Sequence, residues 1–310
     1  MSEYHIPVLL EESVSALIQN PSGLYIDATF GGGGHTAEIL SRLHGNGRVL
    51  AFDRDIDALA NRPDDPRLIL VHNNFRYVHN YVLYHAHTDG TPEKADGILA
   101  DLGVSSHQFD TAERGFSFRF DAPLDMRMNA GSGMTAADLV NTYDAEALEK
   151  VLRLYGEVDN PRKMARLITA ARELKSIRTT SELDEVLAPC LPKYAEHKVL
   201  AKVYQALRIE VNQEMKSLEK FLEGAAESLM EGGRLVVITY HSLEDRMVKN
   251  FIKTGNIAGE EQKDLYGRTA APLQAVNRKP FLPREEEIAY NTRARSAKLR
   301  IARRVSPENR

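Results

Sequence analysis

One stretch limits the folds open to this chain more than any other: Leu24-Tyr-Ile-Asp-Ala-Thr-Phe-Gly-Gly-Gly-Gly-His-Thr36. Leu24, Tyr25, Ile26 and Thr29 make a short apolar and β-branched run that reads as a buried strand. The run stops at Gly31, Gly32, Gly33 and Gly34. A helix is predicted from Thr36 to Leu43, with Ala37, Leu40 and Leu43 on one face. Strand, glycine turn and helix form the first unit of a nucleotide-binding α/β sheet. Glycines admit positive φ and close approach of a ligand to the main chain, and a helix N-terminus presents unpaired N–H groups. Four glycines alone also suit a plain flexible turn.

The surrounding residues narrow the ligand. A dinucleotide fingerprint would read G-x-G-x-x-G, whereas here Asp27, Thr29, Gly31 and Gly33 alternate. An acidic residue at the strand end followed by alternating small residues resembles motif I of the class I S-adenosylmethionine-dependent methyltransferases, with Thr29 where that motif has a third glycine. Arg48-Val-Leu-Ala-Phe-Asp53 is a second apolar strand ending in an acid, placed to hold ribose hydroxyls. Asp53 also suits a helix N-cap.

Other strands and helices follow in alternation. Residues 5–20 contain a short helix with Val8, Leu9, Val14 and Leu17 as its apolar set. Asp55 caps a short helix running to Asn61. Leu68 to Val71 is a third strand with Phe75 beyond its end, then a helix carries Tyr77, Tyr81 and Tyr84. Ala95 to Gly103 holds a fourth strand ending at Asp101. This order predicts a parallel, doubly wound sheet whose ligands sit at the carboxyl ends of the strands. Gly31 to His35, Asp53, Phe75 and Asp101 all fall on that edge.

From Val104 to Gly233 no strand-like run occurs. Asp144 caps a helix with Leu148, Val151, Leu152 and Tyr155. Another runs from Pro161 to Leu174. Ser181-x-x-Asp184 opens a third that stops before Pro189. Further helical tracts carry Leu200, Val203, Tyr204 and Leu207, then Leu218, Phe221, Leu222 and Leu229. We read 1–104 and 211–310 as two parts of the sheet domain and 105–210 as a helical insertion. A helix over 211–231 returns the chain to a strand at Gly233 to Tyr240. His241 then lies at the carboxyl edge, either within reach of a substrate or as a hydrogen-bonded turn residue, while Ser242-x-x-Asp245 is placed to cap the next helix. The tail holds Arg293, Arg295, Lys298, Arg300, Arg303 and Arg304, with Leu299 and Ile301 alternating as in a final edge strand. Such a run is either a solvated face or a contact for RNA phosphates.

A chain of 310 residues with 43% hydrophobic and 27% charged residues is ordinary for a globular protein. Cys190, its single cysteine, excludes an internal disulfide and fits a reducing cytoplasm. The first residues lack the pattern of a signal peptide, and no apolar run approaches the ~20 residues that span a bilayer. A net charge of −4 argues against coating nucleic acid indiscriminately but permits local basic contacts.

Six stretches together are similar to the RsmH (MraW) family of bacterial ribosomal RNA methyltransferases: Asp27 to Thr36, Asp101-Leu-Gly-Val-Ser-Ser106, Glu113 to Met128, Gln205-Ala-Leu-Arg-Ile-Glu-Val-Asn212, His241-Ser-Leu-Glu-Asp-Arg246 and Arg293 to Lys298. The chain departs from the family pattern at Lys198-Val-Leu-Ala-Lys202 and at Thr292. The resemblance implies a class I methyltransferase sheet (Rossmann-like, mostly parallel, doubly wound) with a helical insertion domain for RNA recognition. It implies S-adenosyl-L-methionine as cofactor, held by Gly33, Gly34, His35, Asp53, Phe75, Asp101 and Gln108, with no metal. The substrate it implies is the exocyclic N4 of a cytidine in the decoding centre of small-subunit (16S) ribosomal RNA within the 30S subunit, with no membrane and no obligate protein partner.

Cytosine's amino lone pair is delocalised into the ring, so an acceptor for an amino N–H is needed to localise it. Asp101 is the candidate, either for that step or as a cofactor contact. An aromatic from Phe116-Ser-Phe118 either stacks an extruded base or closes the core. Two other functions use the same kind of sheet: a nicotinamide-dependent oxidoreductase, disfavoured by the missing G-x-G-x-x-G, and a non-enzymatic RNA-binding assembly factor, disfavoured by the intact glycine turn with Asp53.

Overall fold

The computed structural model describes residues 7–88, 90–261 and 271–306. The chain runs α1 (Leu10–Leu17), β1 (Leu24–Asp27), α2 (Gly34–Arg42), β2 (Arg48–Asp53), β3 (Leu68–His72), α3 (Val78–His85) and β4 (Ala95–Asp101). Then come α4 (Ser106–Asp110), α5 (Ala136–Thr142), α6 (Ala145–Gly156), α7 (Pro161–Leu174), α8 (Thr180–Leu187) and α9 (Glu196–Asn212). It closes with α10 (Glu214–Ser228), β5 (Leu229–Thr239), α11 (Ser242–Thr254), β6 (Leu273–Ala275), α12 (Glu285–Tyr290) and β7 (Lys298–Arg304). Two compact units result, one from 1–103 with 215–310 and one from 104–214.

The first unit is built on a sheet ordered β3-β2-β1-β4-β5-β7-β6. The first five strands are parallel, and β7 and β6 are antiparallel to their neighbours. Period-two alternation sends successive side chains to opposite faces. Leu24, Ile26, Leu50, Phe52, Ile98, Ala100, Leu235 and Val237 pack on one face with α3, α10 and α11. Tyr25, Val49, Ala51, Leu99, Val236, Ile238, Leu299 and Ile301 pack on the other with α1 and α2. Both faces are buried, which is why the central parallel strands β1, β2, β4 and β5 carry near-continuous apolar runs, whereas β7 alternates with charged residues. The mixed α/β, Rossmann-like doubly wound sheet is as the strand order implied.

Several local expectations are corrected. In α2 the buried residues are His35, Thr36, Ile39 and Leu40, while Ala37 is exposed; the helix begins at Gly34, two residues early. Tyr77 precedes α3, whose core residues are Val78 and Val82 with Tyr81 packed against them, while Tyr84 is exposed. Around α1, Val8 and Leu9 are buried but precede the helix, and residues 5 and 6 lie outside the described residues. No single helix spans 211–231: Gln213, at φ 48°, ends α9, its N–H donating to Glu210 and Ile209 carbonyls. The strand then begins at Leu229, which pairs with Ala95 before a bulge of glycine-containing chain rejoins the ladder at Arg234. Finally, β7 is not an edge strand; the three-residue β6 covers it, too short to leave a pattern in the sequence.

The second unit is helical. Its core gathers Leu124, Leu139, Leu148, Leu152, Ile168, Leu183, Val203 and Leu207. Asp144 caps α6 as its position suggested, accepting from the Ala147 N–H. The cap of α8 is a Thr179–Glu182 box, not Ser181–Asp184, because the helix starts one residue after Thr179. The departure at Lys202 has a structural use: its Nζ donates to the Glu157 carbonyl at the end of α6.

Asn212 ties this unit together. It is 8% exposed, its Oδ1 accepts from Met128 N–H (2.8 Å), and its Nδ2 donates to Met126 O (2.7 Å) and Arg208 O (2.9 Å). Met126 holds φ at 60°, a left-handed backbone that a methionine adopts only when its surroundings impose it. Asn212→Ala leaves the loop's N–H and carbonyl unpaired in a buried place and is expected to destabilise the helical unit by about 3 kcal/mol. Urea unfolding followed by helix circular dichroism measures it.

Candidate functional site

The carboxyl edge of the parallel strands in the first unit gathers three aspartates. Asp27 ends β1 and is fully buried; its oxygens accept from Thr36 Oγ1 (2.7 Å) and from the Thr29 N–H (3.1 Å). Burial raises its pKa against those two bonds. Asp53 ends the neighbouring β2. Its Oδ2 accepts from the Gly31 N–H and its Oδ1 from the Asp55 N–H, both at 2.8 Å. Burial pushes its pKa up while the two backbone donors pull it down. The helical segment after Asp53 is capped by Asp55, which accepts from the Asp57 N–H, so Asp53 braces the glycine turn instead of capping a helix. Each carboxylate oxygen retains a second lone pair for a hydroxyl.

The glycine turn is specific in its use of glycine. Gly31 (φ 53°) and Gly33 (φ 79°) hold left-handed backbone. A Cβ on Gly33 would meet the Phe30 ring at 2.9 Å, and one on Gly34 would meet Pro7 Cγ at 2.2 Å. These two glycines therefore let the protein pack on itself. At Gly31 a Cβ would find only the Thr29 carbonyl, at 4.0 Å.

Asp101 ends β4, beside β1. Its N–H donates to Thr29 Oγ1 (2.7 Å). Thr29, the residue where motif I has glycine, thus supplies a hydroxyl that bridges β1 to β4. Asp101 Oδ1 accepts from the Tyr240 hydroxyl (2.7 Å). Burial, with Asp27 and Glu244 adding negative charge, pushes the Asp101 pKa up to about 7 against the Tyr240 bond.

His35, in the first turn of α2, places Nδ1 3.9 Å from Asp101 Oδ2 and Nε2 3.2 Å from the Val8 carbonyl. Burial lowers its pKa to about 4, so the ring is neutral at physiological pH. The carbonyl can only accept, so Nε2 carries the hydrogen and Nδ1 turns a lone pair toward Asp101. Phe75 stands just beyond β3, on the same edge, packed edge-to-face on Phe221 at 5.2 Å.

The structure thus brings Gly33, Gly34, His35, Asp53, Phe75 and Asp101 to one sheet edge. Gln108 lies in the helical unit, where it forms a capping box with Ser105 at the start of α4: its Oε1 accepts from Ser105 N–H while Ser105 Oγ accepts from Gln108 N–H. His241 is the N-cap of α11, with Glu244 completing the box; Ser242 is the first helical residue and not the cap. Asp245 instead holds Arg300 (2.7 Å) and Lys298 (3.4 Å) of β7, so part of the basic tail is engaged within the sheet domain. Tyr240, Thr29 and Thr36 are the members that sequence reasoning left without a role; only their places at strand and helix ends hinted at one.

Of the two phenylalanines singled out in the sequence, Phe116 is 5% exposed within the helical core. Phe118 is partly exposed, stacked on the exposed His197 ring at 5.7 Å and edge-on to Tyr204.

The edge suits a ligand that is a nucleoside at one end and cationic at the other. It offers acceptors for ribose hydroxyls at Asp53, an aromatic face at Phe75, a buried carboxylate at Asp27 and a part-buried one at Asp101. Relatives point the same way. A Bacteroides fragilis (strain YCH46) protein named ribosomal RNA small subunit methyltransferase H is 56% identical over 299 residues, 96% of this chain and 97% of its own. Its namesakes in Parabacteroides distasonis and Flavobacterium johnsoniae are 54% and 52% identical, each across 98% of their own length and 97% and 98% of this chain. The MraW methylase family matches residues 2–305, and a methylase on such a sheet draws its methyl group from S-adenosyl-L-methionine. With that match and these relatives, the chain belongs to the MraW methylase family.

Proposed function

We propose that this protein transfers a methyl group from S-adenosyl-L-methionine to the exocyclic N4 of a cytidine in the decoding centre of small-subunit ribosomal RNA, acting on the 30S subunit in the cytoplasm. The observation that carries this reading is Asp101: a carboxylate whose side chain is 12% exposed, at the end of the strand beside the glycine turn, with one oxygen held by Tyr240. No helix among the described residues is long and apolar enough to cross a membrane.

The cofactor, when bound, supplies an electrophilic methyl on a good leaving group. The protein's part is alignment and proton handling. Asp53 would accept from the ribose hydroxyls and Phe75 would lie beside the adenine. Gly31 to Gly34 would shape the main chain against which the amino-acid end lies. Asp101 accepts an N–H of the cytosine amine, which localises the nitrogen lone pair toward the methyl group. Methylation of the amine releases one of its protons, and Asp101 would accept it. His35 cannot compete as the base, because its Nε2–H is committed to Val8 and burial opposes its protonation.

The helical unit carries its own candidate RNA contact, Phe118 stacked on His197. A partly exposed aromatic pair can extend its stack to an unpaired base.

Four outcomes test the proposal. Incubation with labelled methyl donor and small subunits from a strain lacking the gene should place one methyl group on N4 of a decoding-centre cytidine, read by mass spectrometry; a different nucleotide or no transfer refutes the assignment. Asp101→Ala should lower turnover by at least about 10²-fold. An S-adenosylmethionine affinity retained in that variant assigns Asp101 to the base, and a lost one assigns it to the cofactor. Phe118→Ala should reduce kcat/KM for the subunit by about tenfold with unchanged cofactor affinity. Phe116→Ala should instead cost about 3–5 kcal/mol of stability.

A further inference from the structure

The end of β5 carries a hydroxyl whose position is fixed from two sides. Ile238 pairs with Asp101 across the parallel β4–β5 ladder, so Tyr240, two residues on, stands just past the Asp101 carboxylate. Its main chain is held by the start of α11: the Tyr240 N–H donates to Glu244 Oε2 (2.9 Å), the same carboxylate that closes the His241 capping box. Its ring passes over Gly103. That residue has φ 98°, and a Cβ there would lie 3.3 Å from Tyr240 Cδ2. The hydroxyl then reaches Asp101 Oδ1 at 2.7 Å. Among the described residues Asp101 Oδ2 accepts no hydrogen bond; its neighbour His35 Nδ1, at 3.9 Å, presents a lone pair.

We propose that Tyr240 is a positioning residue for the methyl transfer: its hydroxyl fixes the Asp101 rotamer, occupies Oδ1, and keeps the carboxylate ionised so that Oδ2 accepts from the cytosine amine. The inference rests on the assignment of Asp101 as that acceptor.

Electrostatics explain why the hydroxyl matters. Asp101 faces Asp27 from β1 and Glu244 from α11, both of which disfavour its charge, and His35 from α2, which is neutral. Burial acts in the same direction, and the Tyr240 bond is the contribution that favours the carboxylate. With these in balance Asp101 titrates at about 7. Removing a donor to an ionised acceptor raises the acceptor's pKa. The reactive carboxylate would then be lost at a higher pH, as acidity increases through the physiological range. The Tyr240 hydroxyl itself stays protonated, since burial and Asp101 raise its pKa well above the usual phenol value.

The test compares full-length wild-type, Tyr240→Phe and Asp101→Asn proteins on unmethylated small subunits across about pH 6 to 9. In Tyr240→Phe the acidic limb of kcat/KM should move up by about one pH unit, so that the rate falls about tenfold on the acid side and recovers toward wild type at alkaline pH. Aspartate labelled with carbon-13 at the carboxyl, its Asp101 signal identified by its loss in Asp101→Asn, should show the same upward displacement without any turnover. Difluorotyrosine incorporated at position 240, a stronger donor of the same shape, should move the limb the other way and covers the case in which Tyr240→Phe does not fold. A loss that is uniform over the pH range, or a carboxyl titration that does not move, overturns the role of Tyr240 alone. An Asp101→Asn protein as active as wild type overturns the assignment of Asp101, and the role of Tyr240 with it.

Discussion

Carboxylates largely withdrawn from water and held by neutral donors are the condition on which the sheet edge depends. Asp27 is satisfied by a threonine hydroxyl and a backbone N–H, and Asp101 by a tyrosine hydroxyl. None of these hydrogen bonds brings a positive charge. An arginine in their place would neutralise the edge, drive the pKa of Asp101 down and fill the space a ligand needs. Neutral donors satisfy the oxygens while leaving the negative potential available to a cationic ligand. The cost is a raised pKa, most of all at Asp101, where Asp27 and Glu244 add to the effect of burial.

That arrangement follows from parallel topology. Adjacent parallel strands end on the same side, so residues far apart in sequence meet at one edge: Thr29 with Asp101, Gly31 with Asp53, Asp101 with Tyr240. Each pair also bonds one strand end to another. The site is therefore part of the scaffold, and Asp53 is the clearest case, since the oxygens it would offer to a ribose already brace the glycine turn from Gly31 and the loop at Asp55.

The helical unit is held on another principle. Its core is apolar, but the loop before α5 is shaped by one asparagine that supplies what the backbone lacks, and the left-handed Met126 is kept by that clamp. Asn212 lies in the Gln205–Asn212 segment that marked the family in the sequence, and its job is structural.

Much of the fold was legible because its signals are local. Apolar runs bounded by glycine and acids revealed the parallel strands, and Asp144 and Pro161 announced their helices at the observed positions. The capping errors have one cause in common. Thr179 rather than Ser181 and His241 rather than Ser242 were each decided by where a helix begins, a matter of one or two residues. The helices α4 and α5 are too short to show a period, and β6 has three residues.

Taken alone, the sequence determined the class of sheet, the edge where the glycine turn and the acids gather, and the acids at the ends of β1, β2 and β4, because strand period and chain punctuation are properties of neighbouring residues. Only tertiary structure decided which of those acids touch what. It put Thr29 on the Asp101 N–H, separated buried Phe116 from stacked Phe118, and brought Tyr240 to a carboxylate 139 residues away in the chain. Such contacts depend on strand order and register, and no local pattern records which strand lies beside which.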